Sequence, residues 1–226
     1  MKRLLFYLIL FFLPVVNQAH GGGTNSDNLN INEIFSAINL ADKGLSREIF
    51  NLALKGWEKL STSGKLLNRD IVTIADYSQS SNKKRLYVID LKNRKLLFNT
   101  YVAHGRNTGD EFARTFSNQV GSLKTSLGFY VTGNPAIGSH TGFSLLLNGL
   151  EKEFNDNAGK REIIMHSAGY VSEDFIRRFG RLGRSLGCPV LPPELNKPII
   201  ETIKGGTCLF LYYSDQNYLH GSALLN

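Results

Sequence analysis

From Ile71 onward, the chain alternates short runs of β-branched and aromatic residues with turns that contain glycine. The runs at 86–91 and 95–102 are separated by Lys92-Asn93-Arg94, a pattern typical of a β-hairpin. Further runs of this kind lie at 127–132, 142–147, 161–166 and 207–213. Because strands must pair to satisfy their backbone groups, the pattern predicts a mainly β domain with few helices, of the α+β class.

A helical period precedes this region. Apolar residues fall at i, i+3, i+4 and i+7 from Ile31, and Ser26 and Asp27 are candidate N-caps. Ser46 is placed to cap a second helix that ends near Ser61–Gly64. We therefore expect a short helical pair before the β domain. One more short helix is predicted from Pro198 to Lys204, with Pro198 at the first helical position.

The chain begins with the features of a signal peptide. Lys2 and Arg3 precede an apolar run, 4–16, and Asn17-Gln18-Ala19 offers a cleavage site. As a helix, this run spans roughly 20 Å, less than the ~30 Å hydrocarbon core, so we expect no stable membrane anchor. The predicted order is a signal peptide at 1–19, a Gly- and Asn-rich flexible leader at 20–28, a helical segment at 29–64 and a β domain at 65–226.

Charge restricts the partners of the mature chain. Removal of Lys2 and Arg3 lowers the formal net charge from +7 to +5, which still favours an anionic partner. A nucleic acid fits poorly with export, so we expect a periplasmic or cell-wall location and no nucleic-acid ligand. Ordinary solubility is the alternative explanation of the charge. The remaining length suits one domain, which we expect to be a monomer.

The segment Arg184-Ser185-Leu186-Gly187-Cys188 follows His166 by 18 to 22 positions. A cysteine after such a glycine-containing turn can present its sulfur beside free backbone N–H groups. His166 closes a predicted strand and is the best candidate for the base that activates Cys188. The backbone N–H groups of Gly187 and Cys188 are the candidate donors to the oxyanion of an attacked carbonyl.

The cysteines and histidines also allow two alternatives, a disulfide and a metal site. In an exported protein, Cys188 and Cys208 are candidates for a disulfide. However, Cys208 shares a strand face with Phe210 and Tyr212, which favours a small buried side chain. Neither His-Glu-x-x-His nor Cys-x-x-Cys occurs, so no metal is predicted.

His166-Ser167 followed by Gly183-Arg184-Ser185-Leu186-Gly187-Cys188-Pro189 resembles the catalytic motif of the bacterial L,D-transpeptidases, and most closely their murein L,D-transpeptidase catalytic domain branch. The similarity runs from about Asp70 to Tyr213. It departs from the commoner motif in having Leu186 in place of histidine and Val190 in place of arginine.

The resemblance implies a β catalytic domain that uses Cys188 and His166 without a cofactor. It places His104, Ser167 and Ser185 near the substrate, and Arg184 is a candidate for the displaced guanidinium. The implied activity is acyl transfer through a thioester, from a peptidoglycan stem peptide to an acceptor amine. The alternatives are an L,D-carboxypeptidase with water as acceptor, a non-catalytic cell-wall-binding protein and a cysteine peptidase of ordinary L,L bonds.

Overall fold

The computed structural model describes residues 31–226. The predicted signal peptide, the leader and the candidate caps Ser26 and Asp27 lie outside the described residues. Within 31–226 the helices are α1 Ile31–Ala37, α2 Arg47–Thr62, α3 Glu173–Phe179, α4 Pro193–Ile203 and α5 Gln216–Gly221. The strands are β1 Ile71–Asp76, β2 Leu86–Asp90, β3 Lys95–Thr100, β4 Gly128–Gly138, β5 Gly142–Gly149, β6 Ile164–Ser167, β7 Val190–Leu191 and β8 Cys208–Tyr212. None of these helices is both long and apolar enough to cross a bilayer.

The strands form one sheet in the order β3-β2-β1-β8-β4-β5-β6-β7. β1 pairs with β8, and β6 with β7, in the parallel sense, and the other neighbours are antiparallel. The last strand of the sequence therefore lies in the middle of the sheet. This architecture confirms the predicted mainly β class with few helices.

Helices cover both faces of the sheet. Along β8, Cys208 and Phe210 face the cluster that contains α1 and α2, whereas Leu209 and Leu211 face the cluster that contains α4. Each of these four β8 side chains is fully buried. Burying a large apolar side chain contributes about 1.5–3 kcal/mol, so this two-sided core dominates the stability of the domain.

The N-terminal helical pair packs directly on the sheet. Ser46 caps α2 as predicted, because its hydroxyl accepts a hydrogen bond from the Ile49 N–H at 3.2 Å. Gly56 of α2 lies against the Phe129 ring of β4, so close that a Cβ at this position would meet ring carbons. Phe129 in turn stacks on Phe210 with ring centroids 4.1 Å apart. The pair thus shares one core with the β domain.

Three predicted boundaries were wrong by more than two residues. β4 continues to Gly138 instead of ending at Thr132. β6 begins at Ile164 instead of Arg161, since Glu162 adopts a φ of 53° that interrupts an extended strand. α4 begins at Pro193, and Pro198 lies inside it instead of at its first position. Pro193 is already suited to the first turn, where its missing N–H costs no hydrogen bond.

Candidate active site

A cleft of about 930 Å³ runs along the β5–β6 side of the sheet. Three segments provide most of its walls: the β4–β5 hairpin, the stretch 159–166 and the turn 184–188. Cys188 and His166 both line this cleft. The two residues that the motif singles out therefore share one cleft.

The chain holds the turn 184–188 between two other segments. Its N-terminal part pairs with the segment after β3, where Gly105 and Ser185 form a parallel bridge and the Ser185 N–H donates to the His104 carbonyl at 2.9 Å. Its C-terminal end continues into β7, where Val190 pairs with His166. This register fixes Cys188 two residues away from the partner of His166.

Ser185 and Gly187 shape the turn from inside. The Ser185 hydroxyl donates to the Cys188 carbonyl at 2.7 Å and accepts from the Gly187 N–H at 3.0 Å. Gly187 has a φ of +134°, a conformation that residues with a side chain rarely adopt. Ser185 lines the cleft, but its hydroxyl is engaged within the turn.

The two predicted oxyanion donors, the N–H groups of Gly187 and Cys188, differ in whether they already donate a hydrogen bond within the described residues. The Gly187 N–H is occupied by the Ser185 hydroxyl. In the part of the chain that the structure describes, no acceptor pairs with the Cys188 N–H. Of the two donors, the Cys188 N–H is thus the one without an acceptor among residues 31–226.

The Cys188 sulfur faces the start of β6. It lies 3.9 Å from the Glu162 carbonyl oxygen. Burial raises the pKa of the thiol, the Ile164 N–H and the Arg161 guanidinium lower it, and the Glu162 carboxylate raises it further. The net effect is an upward shift, so the resting thiol is protonated at neutral pH.

His166 is oriented to act as a base. Its Nδ1 donates to the carbonyl of Ser167 at 3.1 Å, which leaves Nε2 as the ring nitrogen with a lone pair. Burial lowers the pKa of His166, so the neutral imidazole predominates at pH 7. A neutral thiol and a neutral imidazole favour proton transfer during attack over a preformed ion pair.

Arg184 and Ser167, two predicted substrate-binding residues, make their side-chain or backbone contacts within the protein. Arg184 lines the cleft, but its Nη1 lies 2.5 Å from Asp110 Oδ1, so its charge is already paired. Arg181 approaches the same carboxylate at 3.8 Å. Ser167 is not among the residues that line the cleft, and it serves the site through its carbonyl, which holds His166.

His104 lies apart from the cleft in the protein interior. Its side chain is 1% exposed, its Nδ1 accepts from Arg85 Nη2 at 2.8 Å, and its Nε2 donates to the Gly109 carbonyl at 3.2 Å. Burial, then the Arg85 charge, lowers the pKa of His104 to about 3. Both ring nitrogens are therefore engaged within the protein, which does not fit the predicted substrate contact.

The two cysteines are separate free thiols. Cys208 is fully buried in β8, and burial raises its pKa strongly. Cys188 is half-buried at the cleft. Within residues 31–226, no group of three or more His, Cys, Asp or Glu side chains is arranged to hold a metal ion.

Sequence reasoning missed Arg161 and Ile137 at this site, whereas the sequence allows His140 as a substrate contact. Arg161 lines the cleft, as do the β4–β5 hairpin residues Ile137 and His140. The sequence pattern assigned Arg161 to a strand, and nothing in its spacing from Cys188 marks it. Only the folded structure shows its position, because the turn at Glu162 brings the Arg161 guanidinium close to Gly187.

Comparison with known proteins identifies a matching family. The family described as L,D-transpeptidase catalytic domain matches residues 41–212. No curated protein matches the chain.

Similar solved structures include an L,D-transpeptidase from Mycobacterium smegmatis, with 10% identity, 64% of this chain and 59% of that one covered, and a TM-score of 0.40. The helical cell shape determining protein Pgp2 from Campylobacter jejuni has 15% identity, coverages of 72% and 57%, and a TM-score of 0.44. An L,D-transpeptidase from Stackebrandtia nassauensis has 16% identity, coverages of 73% and 68%, and a TM-score of 0.39. The match spans less than two thirds of the M. smegmatis and C. jejuni chains.

Proposed function

Because this chain belongs to the L,D-transpeptidase catalytic domain family, we propose that it is an exported cysteine acyltransferase acting on peptidoglycan stem peptides. The observation that carries the proposal is that Cys188 and His166 line one cleft, with His166 held so that Nε2 is the free nitrogen. The export step rests on the signal features of residues 1–19.

The first half of the reaction forms a thioester. His166 Nε2 takes the proton of Cys188 as the sulfur attacks the carbonyl of the L,D bond. By family resemblance, this bond joins the L-centre of a diamino acid to terminal D-Ala. The Cys188 N–H is available to the oxyanion, and such a donor contributes up to about 3–4 kcal/mol in other enzymes. The C–N bond then breaks, and D-Ala leaves as an amine with the proton from His166.

The second half returns the enzyme to its starting state. An acceptor amine attacks the thioester carbonyl and gives a proton to His166, and the C–S bond breaks as the Cys188 thiol re-forms. With water as acceptor, the same steps release a shortened stem, which is the carboxypeptidase outcome. Neither half needs a cofactor.

Incubation with a defined disaccharide-tetrapeptide, followed by mass spectrometry, tests the proposal. We expect loss of D-Ala and an acyl adduct on Cys188 in the wild type, and neither with Cys188→Ala. The mass of the product then distinguishes a crosslinked dimer from a trimmed tripeptide stem. An adduct that persists in Cys188→Ala removes Cys188 as the nucleophile. A wild-type protein that binds the muropeptide without turnover supports the non-catalytic alternative instead.

A further inference from the structure

The guanidinium of Arg161 lies beside residues 184–188, called here the nucleophile turn. Its Nη2 lies 3.2 Å from the position that a Cβ on Gly187 would occupy. Nη1 donates to the Ser117 carbonyl at 2.7 Å, and Nη2 donates to the Lys124 carbonyl. Arg161 is therefore hydrogen-bonded to the loop before β4 and lies close to Gly187, the residue that immediately precedes Cys188.

The charge of Arg161 is not neutralised by the protein. In the range 31–226, its hydrogen-bond acceptors are two carbonyls and the Ser122 hydroxyl, and no carboxylate forms an ion pair with it. Arg184, the other cation that lines the cleft, contacts Asp110 at 2.5 Å. Because Arg161 is half-buried, solvent screens its field less than that of a surface arginine.

We propose that Arg161 is a positioning residue that holds the nucleophile turn and supplies the cation favouring the Cys188 thiolate. The inference rests on the proposed role of Cys188 as nucleophile. Val190, at the position where the commoner motif has an arginine, cannot take this role, because its apolar side chain is fully buried beside His166.

The other ionisable groups around the sulfur do not replace this cation. They are Glu162, His166, Tyr77, Tyr130, Tyr170, Arg184 and His140. Glu162 opposes the thiolate, and the three tyrosines have pKa values raised by burial, so they are neutral at pH 7. His166 is neutral at that pH as well. Arg161 therefore supplies the unpaired positive charge nearest the turn among the cleft groups described.

The pH dependence of Cys188 alkylation by iodoacetamide tests the proposal without any peptidoglycan. Cys208 is fully buried, so the reaction of the folded protein reports Cys188. We expect Arg161→Gln to raise the midpoint of the rate profile by about one pH unit, as loss of a nearby opposite charge does. Arg161→Lys, which keeps the charge, should stay within about 0.3 unit of the wild type.

Arg114→Gln is the matched control, because Arg114 is exposed and does not line the cleft. It should leave the midpoint unchanged. A folded Arg161→Gln protein with the wild-type midpoint overturns the proposal. If Arg161→Gln does not fold, Arg161→Lys decides alone, since a full-unit rise despite the retained cation contradicts the proposal and a wild-type midpoint supports it. An alkylation shift in a protein that turns over no muropeptide keeps this inference and removes the proposed function.

Discussion

The Ser185 hydroxyl donates to the carbonyl of Cys188 at 2.7 Å and, at the same time, accepts from the Gly187 N–H. One buried side chain thus closes the turn on which the sulfur is displayed. The serine of the motif therefore fixes the shape of the turn that carries Cys188.

Replacement of this hydroxyl should loosen the turn more than the fold. We expect Ser185→Ala to lower the free energy of unfolding by about 1–2 kcal/mol, since a buried N–H and carbonyl lose their partner. Acyl-enzyme formation should slow by roughly ten- to a hundredfold because the sulfur is no longer held in position. Time-resolved mass spectrometry and thermal unfolding measure the two effects.

Ser214→Ala, at an exposed serine, is the control. Acylation at the wild-type rate in Ser185→Ala would show that the turn keeps its shape without the hydroxyl.

Gly187 is required by both its backbone conformation and its surroundings. An added Cβ would lie 3.0 Å from the Lys124 carbonyl and 3.2 Å from Arg161 Nη2, on a residue with a φ of +134°. Gly187→Ala should therefore cost about 1–3 kcal/mol of stability and slow acylation by at least roughly a hundredfold.

Gly169→Ala provides the comparison for Gly187→Ala, because a Cβ at Gly169 meets no atom within 4 Å. Circular dichroism establishes that both variants fold. If Gly187→Ala acylates as fast as Gly169→Ala, the geometry of this turn does not limit the reaction.

The sequence predicted most strands because β-formers in short runs, bounded by glycine, leave few alternatives. It missed α3 and α5, which have seven and six residues and too few turns to show a period. The boundary of β6 was also missed, because a positive φ at Glu162 is not encoded by a glycine or asparagine at that position.

At the site, the motif predicted Cys188 and His166, because a thiol displayed on a glycine-containing turn needs a base nearby. The roles of Arg161 and His104 depend on packing between segments far apart in sequence, so no local pattern reports them. His104 is an example. A histidine that follows a strand can line a cleft or lie in the core, and only the contact with Arg85 in the structure shows that His104 lies in the core.

The two thiols should differ sharply in reactivity. With a thiol reagent such as 5,5′-dithiobis(2-nitrobenzoic acid), we expect one cysteine to react in the native protein and both to react after denaturation, since Cys208 is fully buried. Cys208→Ala should retain acylation and lose roughly 1 kcal/mol of stability. Cys188→Ala should abolish the native reaction. Two rapidly reacting thiols in the folded state, or none, would contradict this assignment.

Contact between α2 and the sheet predicts that the helical pair contributes to the stability of the whole domain. Gly56→Ala would drive a methyl group into the Phe129 ring, which stacks on Phe210. We expect a loss of about 1–3 kcal/mol from overpacking, although alanine is the better helix former. Lys55→Ala, at the adjacent exposed position, should change stability by less than about 0.5 kcal/mol. Denaturant unfolding measures both, and equal stability of the two variants would mean that α2 moves freely away from the sheet.

The buried His104 should make the protein sensitive to mild acid. Its folded pKa of about 3 lies below its ordinary value of 6.5, so the unfolded chain binds a proton that the folded chain excludes. The stability contributed by neutral His104 is therefore present above pH 6.5 and lost by up to about 1.4 kcal/mol per pH unit below it. Burial of His166 acts in the same direction, and the raised pKa of Glu151 acts in the opposite one. Urea unfolding at pH 7.5 and 5.5 measures this loss. The free energy of unfolding should fall clearly less between the two pH values in His104→Gln than in the wild type. Equal losses would mean that His104 accepts a proton in the folded protein.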